Sequence, residues 1–140
     1  MSRIFQVKVY YEDTDLSGVV YHTNYLKFIE RARSDFISIS GIDQLKLWQN
    51  GVNFVVRGLS ATFLKPSYFG DTLGVETVFR KIGGASICLE QKIIKKGTCI
   101  FIAEVKLALI SNSRPMRIPT EMRDKIEALT QFDLEQNSNN

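Results

Sequence analysis

The sequence predicts an α+β fold, in which one long helix is set into an antiparallel sheet. Three observations predict it. Apolar residues at positions 25, 28, 29, 32, 36 and 39 fall on one face of a helix. Four extended segments rich in β-branched and aromatic residues follow, over 52–64, 72–81, 85–95 and 99–110. One alternating segment, 5–10, precedes the helix, which therefore lies between the first strand and the other four.

Each element has a local reason. Phe5, Val7 and Val9 alternate with polar residues, the pattern of a half-buried strand. Residues 12–17 cannot continue that strand, because Asp, Thr and Ser there favour turns closed by side-chain-to-backbone bonds. Gly18 lets the chain turn or approach a ligand closely. The helix is expected from about Thr23 to Ser40, with Gly41 as its C′ residue. Arg31 and Asp35 stand at i,i+4 spacing on it, a pair worth a few tenths of a kcal/mol. Leu45, Leu47 and Trp48 suggest a short second helix that Gly51 ends. Gly58 marks a bulge or bend in the next strand. Pro66 and Gly70-Asp71 turn the chain, and Gly83-Gly84 and Lys96-Gly97 join the last three strands. The strict alternation slips in several strands, which leaves register open. Thr120 starts a C-terminal helix whose stripe is Met122, Ile126 and Leu129. The organisation expected is a single domain over 1–132 and a flexible polar tail over 133–140.

Composition narrows the class. A chain of 140 residues with 44% hydrophobic content is one folded domain and not a disordered segment. No apolar run approaches the roughly 20 residues of a membrane span, and residues 1–6 hold no signal-peptide core, so a cytoplasmic location is the expectation. The net charge of +3 fits a solvated surface or a patch for a polyphosphate. No basic helix or aromatic nucleic-acid string is present, so nucleic acid is not an expected partner. Cys88 and Cys99 sit on consecutive strands, roughly 20 Å apart at about 3.3 Å per residue, and are expected as free thiols. No His, Cys and acid cluster has metal spacing, and no glycines have dinucleotide or P-loop spacing. Neither a metal nor a cofactor is expected.

The chemistry concentrates in residues 11–25. Asp15 precedes the helix start, where unpaired N–H groups and the positive dipole end attract developing negative charge. A carboxylate beside such a helix end is equipment for hydrolysing an acyl group. Glu12 and Asp13 compete for the acid's role, and Asp13 reads as a structural acid that bonds loop N–H groups. His22, the only histidine, stands at the helix boundary.

The string Tyr11-x-Asp13-Thr14-Asp15-x-x-Gly18-Val19-Val20-Tyr21-His22-x-Asn24-Tyr25 resembles the active-site signature of hotdog-fold acyl-CoA thioesterases. It is most similar to the 4-hydroxybenzoyl-CoA thioesterase group and, within that, to the Tol-Pal-associated YbgC subfamily. The similarity continues through residues 30–33, 54–57, 65–66 and 114–119, and covers roughly residues 5–130. It implies a curved antiparallel sheet wrapped around the long helix, and sheets joined edge to edge in a homodimer or homotetramer. It implies hydrolysis of acyl-CoA to a free acid and CoA, with acyl carrier protein as a further acyl donor in some members. Asp15 is then the catalytic carboxylate, as nucleophile or as general base. His22 is the second catalytic residue, through its backbone N–H and through its imidazole. Tyr11, Gly18, Val19 and Tyr21 are expected to line the substrate site. Arg57 is a candidate wall or phosphate partner, and Lys65, Arg80, Lys81 and Arg114 are looser ones, with solvated surface charge as the leading reading for each of them. Residues 67–71 depart from the family pattern of Arg and two acids, which puts nucleotide contacts there in doubt. The reading from a different class is a non-catalytic hotdog module that binds acyl-CoA or a lipid-synthesis or cell-envelope partner.

Overall fold

A computed structural model of the chain describes residues 4–138, with side chains through residue 129. Strand β1 (Ile4–Lys8) is followed by a one-turn 3-10 helix (Tyr11–Asp13) and the long helix α1 (Asn24–Ile39). A short helix α2 (Gln44–Gln49) leads into β2 (Val52–Phe63). Then come β3 (Thr72–Ile82), β4 (Ser86–Lys95), β5 (Thr98–Ser111), the two-residue β6 (Arg114–Pro115) and helix α3 (Thr120–Ser138). The sheet order is β1-β3-β4-β5-β2, antiparallel throughout, with β6 beside the end of β5. β1 and β2 therefore occupy opposite edges, and α1 carries the chain from one edge to the other.

Three bulges explain why alternation slips in the sequence. Register shifts fall between Val56 and Gly58, between Phe79 and Lys81, and between Ile93 and Ile94. Each adds one unpaired residue and reverses the facing pattern beyond it. The bulge expected at Gly58 is one of the three.

Helix α1 packs on the concave face of the sheet. Phe28, Ile29, Phe36 and Ile37 are buried against Leu73, Val75, Leu89, Ile93 and Phe101. Phe28 has no exposure, so Phe28→Ala would cost about 3–5 kcal/mol through lost transfer energy and a cavity. Ile39, expected on the buried stripe, is half exposed, while Arg33 is buried. The reason is a polar anchor in the middle of the interface. The Arg33 guanidinium donates to Gln91 Oε1 at 3.0 Å, and Gln91 Nε2 donates to the Ile29 carbonyl at 2.8 Å and Thr77 Oγ1 at 3.0 Å. Burial pulls the Arg33 pKa below its usual value, opposed by the charge of Glu30. Arg31 and Asp35 are both exposed and form no ion pair among the described residues.

Strand β2 is an uncovered edge. Phe63, Leu59 and Val56 lie opposite Phe101, Val105 and Leu107 of β5, so they share the concave face with that buried row. Yet they remain 49%, 41% and 48% exposed, because the described residues leave this end of the concave face only partly covered. Its outer row of backbone N–H and C=O groups has no strand beside it among the described residues.

Met122, Ile126 and Leu129 of α3 are buried, the stripe expected from spacing. The tail expected over 133–140 overlaps the backbone of α3, which extends to Ser138; residues 139–140 lie outside the described residues. Both cysteines are free; Cys99 lies opposite Ile94, and Cys88 opposite Lys106.

Candidate active site

Residues 13–21 double back as a tight hairpin between β1 and α1. Thr14 and Val20 form an antiparallel bridge, the Asp15 N–H donates to the Val19 carbonyl at 2.9 Å, and the Gly18 N–H donates to the Asp15 carbonyl at 3.1 Å. Gly18 has φ +83°, a left-handed conformation that favours glycine, and a side chain there would meet nothing within 4 Å. Turn geometry is thus the reason for this glycine.

The Asp15 carboxylate is held from one side only. Its Oδ1 accepts from the Ser17 N–H at 2.9 Å, the Ser17 hydroxyl at 2.6 Å and the Val19 N–H at 3.3 Å. Its Oδ2 accepts no hydrogen bond among the described residues, and the residue is exposed. The Ser17 hydroxyl, then the Ser17 N–H, hold the Asp15 pKa below the ordinary carboxylate value; the smaller effect of burial opposes them, and the Val19 N–H adds to the lowering.

Asp13 is built differently. It is 5% exposed; its Oδ2 accepts the Tyr10 N–H at 2.9 Å, and its Oδ1 accepts Asn24 Nδ2 at 2.9 Å. Its carbonyl also accepts the Tyr21 N–H at 3.0 Å. Asp13 therefore ties Tyr10, two residues past β1, to the first residue of α1. Glu12 is exposed in the 3-10 turn.

Helix α1 begins at Asn24, one residue later than expected, with Thr23 as N-cap and no side-chain cap bond. The Asn24 N–H is taken by the Tyr21 carbonyl at 2.9 Å. The N–H groups of His22 and Thr23 have no acceptor among the described residues. Two adjacent donors at a positive helix end can stabilise an oxyanion.

The His22 side chain is exposed and held by aromatic rings. Its ring centroid is 4.5 Å from that of Tyr21, and Phe63 meets it edge-on at 6.3 Å. Phe63 also packs on Tyr25 and on Phe101, and Tyr25 stacks on Phe101 at 5.3 Å. Tyr25 is core, and its hydroxyl lies 2.7 Å from Ser67 Oγ.

Of the expected site residues, Asp15, Gly18, Val19, Tyr21 and His22 share this hairpin and its exit into α1. Tyr11 is 76% exposed and sits 5.8 Å from the Phe69 ring, on the outer side of the 3-10 turn. Arg57 is not brought to the site within one chain. It is the unpaired residue of the β2 bulge, six positions from Phe63, or about 20 Å along an extended strand. Its side chain is exposed and bonds to no described residue. Lys65 and Arg114 are exposed, and Arg80 is paired with Glu90 at 2.9 Å.

Sequence reasoning missed Ser17, Phe63 and Ser67. An Asp followed two positions later by Ser is an Asx-turn signature, so Ser17 carried a local signal. Phe63 and Ser67 carried none, since their partners are some forty residues away in sequence. Among the described residues, no three His, Cys, Asp or Glu side chains are placed to hold a metal ion. No described helix is long and apolar enough to cross a membrane.

The thioesterase superfamily model matches residues 17–100, more than half of the chain. That span opens two residues after Asp15 and contains Gly18, Val19, Tyr21, His22 and Arg57. The acyl-CoA thioesterase YbgC of Haemophilus influenzae is 36% identical over 122 residues, covering 85% of this chain and 90% of that protein. A probable thioesterase from Bartonella henselae has a crystal structure that superposes with a TM-score of 0.80 at 35% identity, over 85% of this chain and all of the other. A gentisyl-coenzyme A thioesterase structure superposes with a TM-score of 0.84 at 25% identity, over 89% and 99% of the two chains. With its sheet curled around α1 and these matches over most of its length, the chain belongs to the thioesterase superfamily and has the hotdog fold.

Proposed function

We propose that this protein is an acyl-CoA thioesterase in which Asp15 delivers the attack and the start of α1 holds the carbonyl oxygen. The observation that carries the reading is the asymmetry of Asp15. One carboxylate oxygen is fixed by Ser17 and Val19, and the other is free and exposed on a hairpin that runs directly into two unpaired helix-start N–H groups. The carboxylate is ionised at neutral pH, the form needed for either role, and the hydrogen bonds from Ser17 favour that form further. As nucleophile it adds to the thioester carbon and expels the CoA thiolate, and water then hydrolyses the mixed anhydride. As base it takes a proton from water as the hydroxide adds to the same carbon; the tetrahedral intermediate then collapses, the C–S bond breaks, and CoA leaves as the thiolate, which takes up that proton. In both routes negative charge grows on the carbonyl oxygen, where the His22 and Thr23 N–H groups act. The His22 imidazole, clamped between Tyr21 and Phe63, supplies a further polar contact to that oxygen or to the water.

The substrate is an acyl group on CoA, with acyl carrier protein as a second donor of the same thioester. Tyr21, Gly18 and Val19 border it. Arg57 contributes through a second copy of the chain, since the apolar concave end and free edge of β2 favour pairing with another β2. The working form is a homodimer or a pair of dimers in the cytoplasm. Thiol release measured across acyl-CoA substrates of increasing chain length, aliphatic and aromatic, tests the reading. Turnover of at least one series that is abolished in Asp15→Asn is expected. Tight acyl-CoA binding without thiol release would leave a binding module instead. Sedimentation should give a dimer or larger, and a fully active monomer would overturn the shared-edge assembly.

A further inference from the structure

Residues 67–71, between β2 and β3, lie across the hairpin that carries Asp15. The Ser67 carbonyl accepts the Val20 N–H at 2.9 Å, Tyr68 bridges to Val19, and the Phe69 N–H donates to the Gly18 carbonyl at 3.0 Å. Ser67 is fully buried, and its hydroxyl meets the Tyr25 hydroxyl on the first turn of α1. This short strap therefore grips both halves of the site, the carboxylate hairpin and the helix start.

Backbone bonds tie the end of the strap to Val9, with the Gly70 N–H donating to the Val9 carbonyl at 3.1 Å and the Val9 N–H to the Asp71 carbonyl at 2.8 Å, and an ion pair fastens its side-chain face. Asp71 Oδ2 accepts the Tyr68 N–H at 2.8 Å and pairs with Lys95 Nζ at 2.7 Å. Lys95 comes from the far end of β4, and its ammonium also stands 4.9 Å from the centroid of the Tyr68 ring. The two side chains are only 22% and 20% exposed, whereas the Lys125–Glu121 pair is 40% and 84% exposed. A pair sheltered to that degree resists salt and solvent better than an open surface pair. Lys95 thus contacts the strap through charge and through the ring face, while nothing places it in contact with Asp15 or His22.

We infer that Lys95 is a positioning residue for the hydrolysis: by locking Asp71 and Tyr68 it fixes the strap, and through Val19 and Val20 it sets where the Asp15 carboxylate stands against the start of α1. The inference rests on the thioesterase reading above. Small misplacement of a reacting group is costly even when no contact with substrate is lost.

The test compares Lys95→Met with Lys95→Arg, reading kcat, KM and amide hydrogen exchange together. Lys95→Met is expected to lower kcat by about tenfold with KM within about twofold, because orientation and not binding is lost. The Val20 and Phe69 amides should exchange faster, while amides in the centre of β4 and β5 keep wild-type protection. Lys95→Arg should restore most of kcat and the protection of both amides. Asp71→Asn, which keeps an acceptor for the Tyr68 N–H but loses the charge, should reproduce Lys95→Met and decides the matter if that variant does not fold. A raised KM at wild-type kcat would make Lys95 a substrate contact and overturn the inference. So would wild-type exchange at Val20 and Phe69, or a uniform loss of protection that Lys95→Arg does not repair. A wild-type protein that releases no thiol from any acyl-CoA removes the thioesterase reading and this inference with it, which distinguishes the two failures.

Discussion

Asp13 and Asp15 stand two residues apart in one loop and have opposite surroundings. Asp13 is buried, and both its oxygens are engaged by groups from different segments, Tyr10 just before the 3-10 turn and Asn24 at the start of α1. Asp15 is exposed, engaged on one oxygen only, and every partner lies within four residues of it. The first arrangement joins parts of the fold. The second holds a carboxylate still while leaving an oxygen available. Identical side chains thus divide into a structural acid with both oxygens engaged and one with acceptor capacity left over, the acid we propose as the reactive one.

The most direct way to break this comparison is to remove each charge in turn. Asp15→Asn keeps size and most hydrogen bonding but cannot attack or accept a proton. A fall in kcat of at least about two orders of magnitude is expected, with the thermal midpoint unchanged. If Asp15→Asn were nearly silent and Asp13→Asn crippled turnover at full stability, the two roles would have to be exchanged.

His22→Ala separates the backbone donor from the ring. Any residue but proline keeps the N–H, so a loss within about tenfold, or about 1.4 kcal/mol, would mean that the backbone alone acts. We expect the larger loss of about a hundredfold, as for a missing oxyanion donor, because the ring is held by Tyr21 and Phe63 and spends neither nitrogen on a described residue. Steady-state kinetics on the folded variant reads the difference.

How much of this was legible in the sequence depends on the distance between partners. The strands, their glycine turns, the α3 stripe and the Asp15 hairpin are local, and periodicity or turn chemistry exposes them. What escaped is long-range. Arg33 looks like a surface residue until Gln91, 58 positions away, accepts from it in the core. Ile39 sits at the right spacing for burial, but it lies in the last turn of α1, where it remains half exposed. The three bulges defeat register, since a shift of one residue reverses the facing pattern of everything beyond it. Arg57 had the family string in its favour, and only the folded chain shows it on a free edge away from the hairpin.

A smaller effect is expected from Asp13→Ala, and on stability first. The substitution leaves the Tyr10 N–H and the Asn24 amide without their acceptor at a largely buried site, at a cost of about 1–3 kcal/mol. Chemical denaturation should show that loss. The kcat measured well below the midpoint should stay within severalfold of wild type. A hundredfold fall in kcat without any loss of stability would place Asp13 in the chemistry and dissolve the contrast with Asp15.

The finest test concerns Ser17, whose hydroxyl and N–H together hold one oxygen of Asp15. Ser17→Ala removes the hydroxyl, the largest cause of the lowered pKa, and keeps both backbone donors. The sign follows from which form is reactive. The proposed mechanism requires the ionised carboxylate, so it predicts full activity above the Asp15 pKa and loss as pH falls through it. In the wild type that acid limb should lie below the ordinary carboxylate value of 3.8, and in Ser17→Ala it should move up toward that value. Initial rates, taken after brief exposure to each acidic pH and normalised to the folded fraction, would locate the limb. At neutral pH both proteins hold Asp15 ionised, so only a severalfold loss of kcat is expected, from looser orientation of the free oxygen. A limb that does not move in Ser17→Ala, but shifts in a variant of another acid, would assign the reactive carboxylate elsewhere. A limb that moves upward while kcat at neutral pH stays nearly wild type would show that Ser17 tunes the charge of Asp15 and that the turn backbone alone aims it.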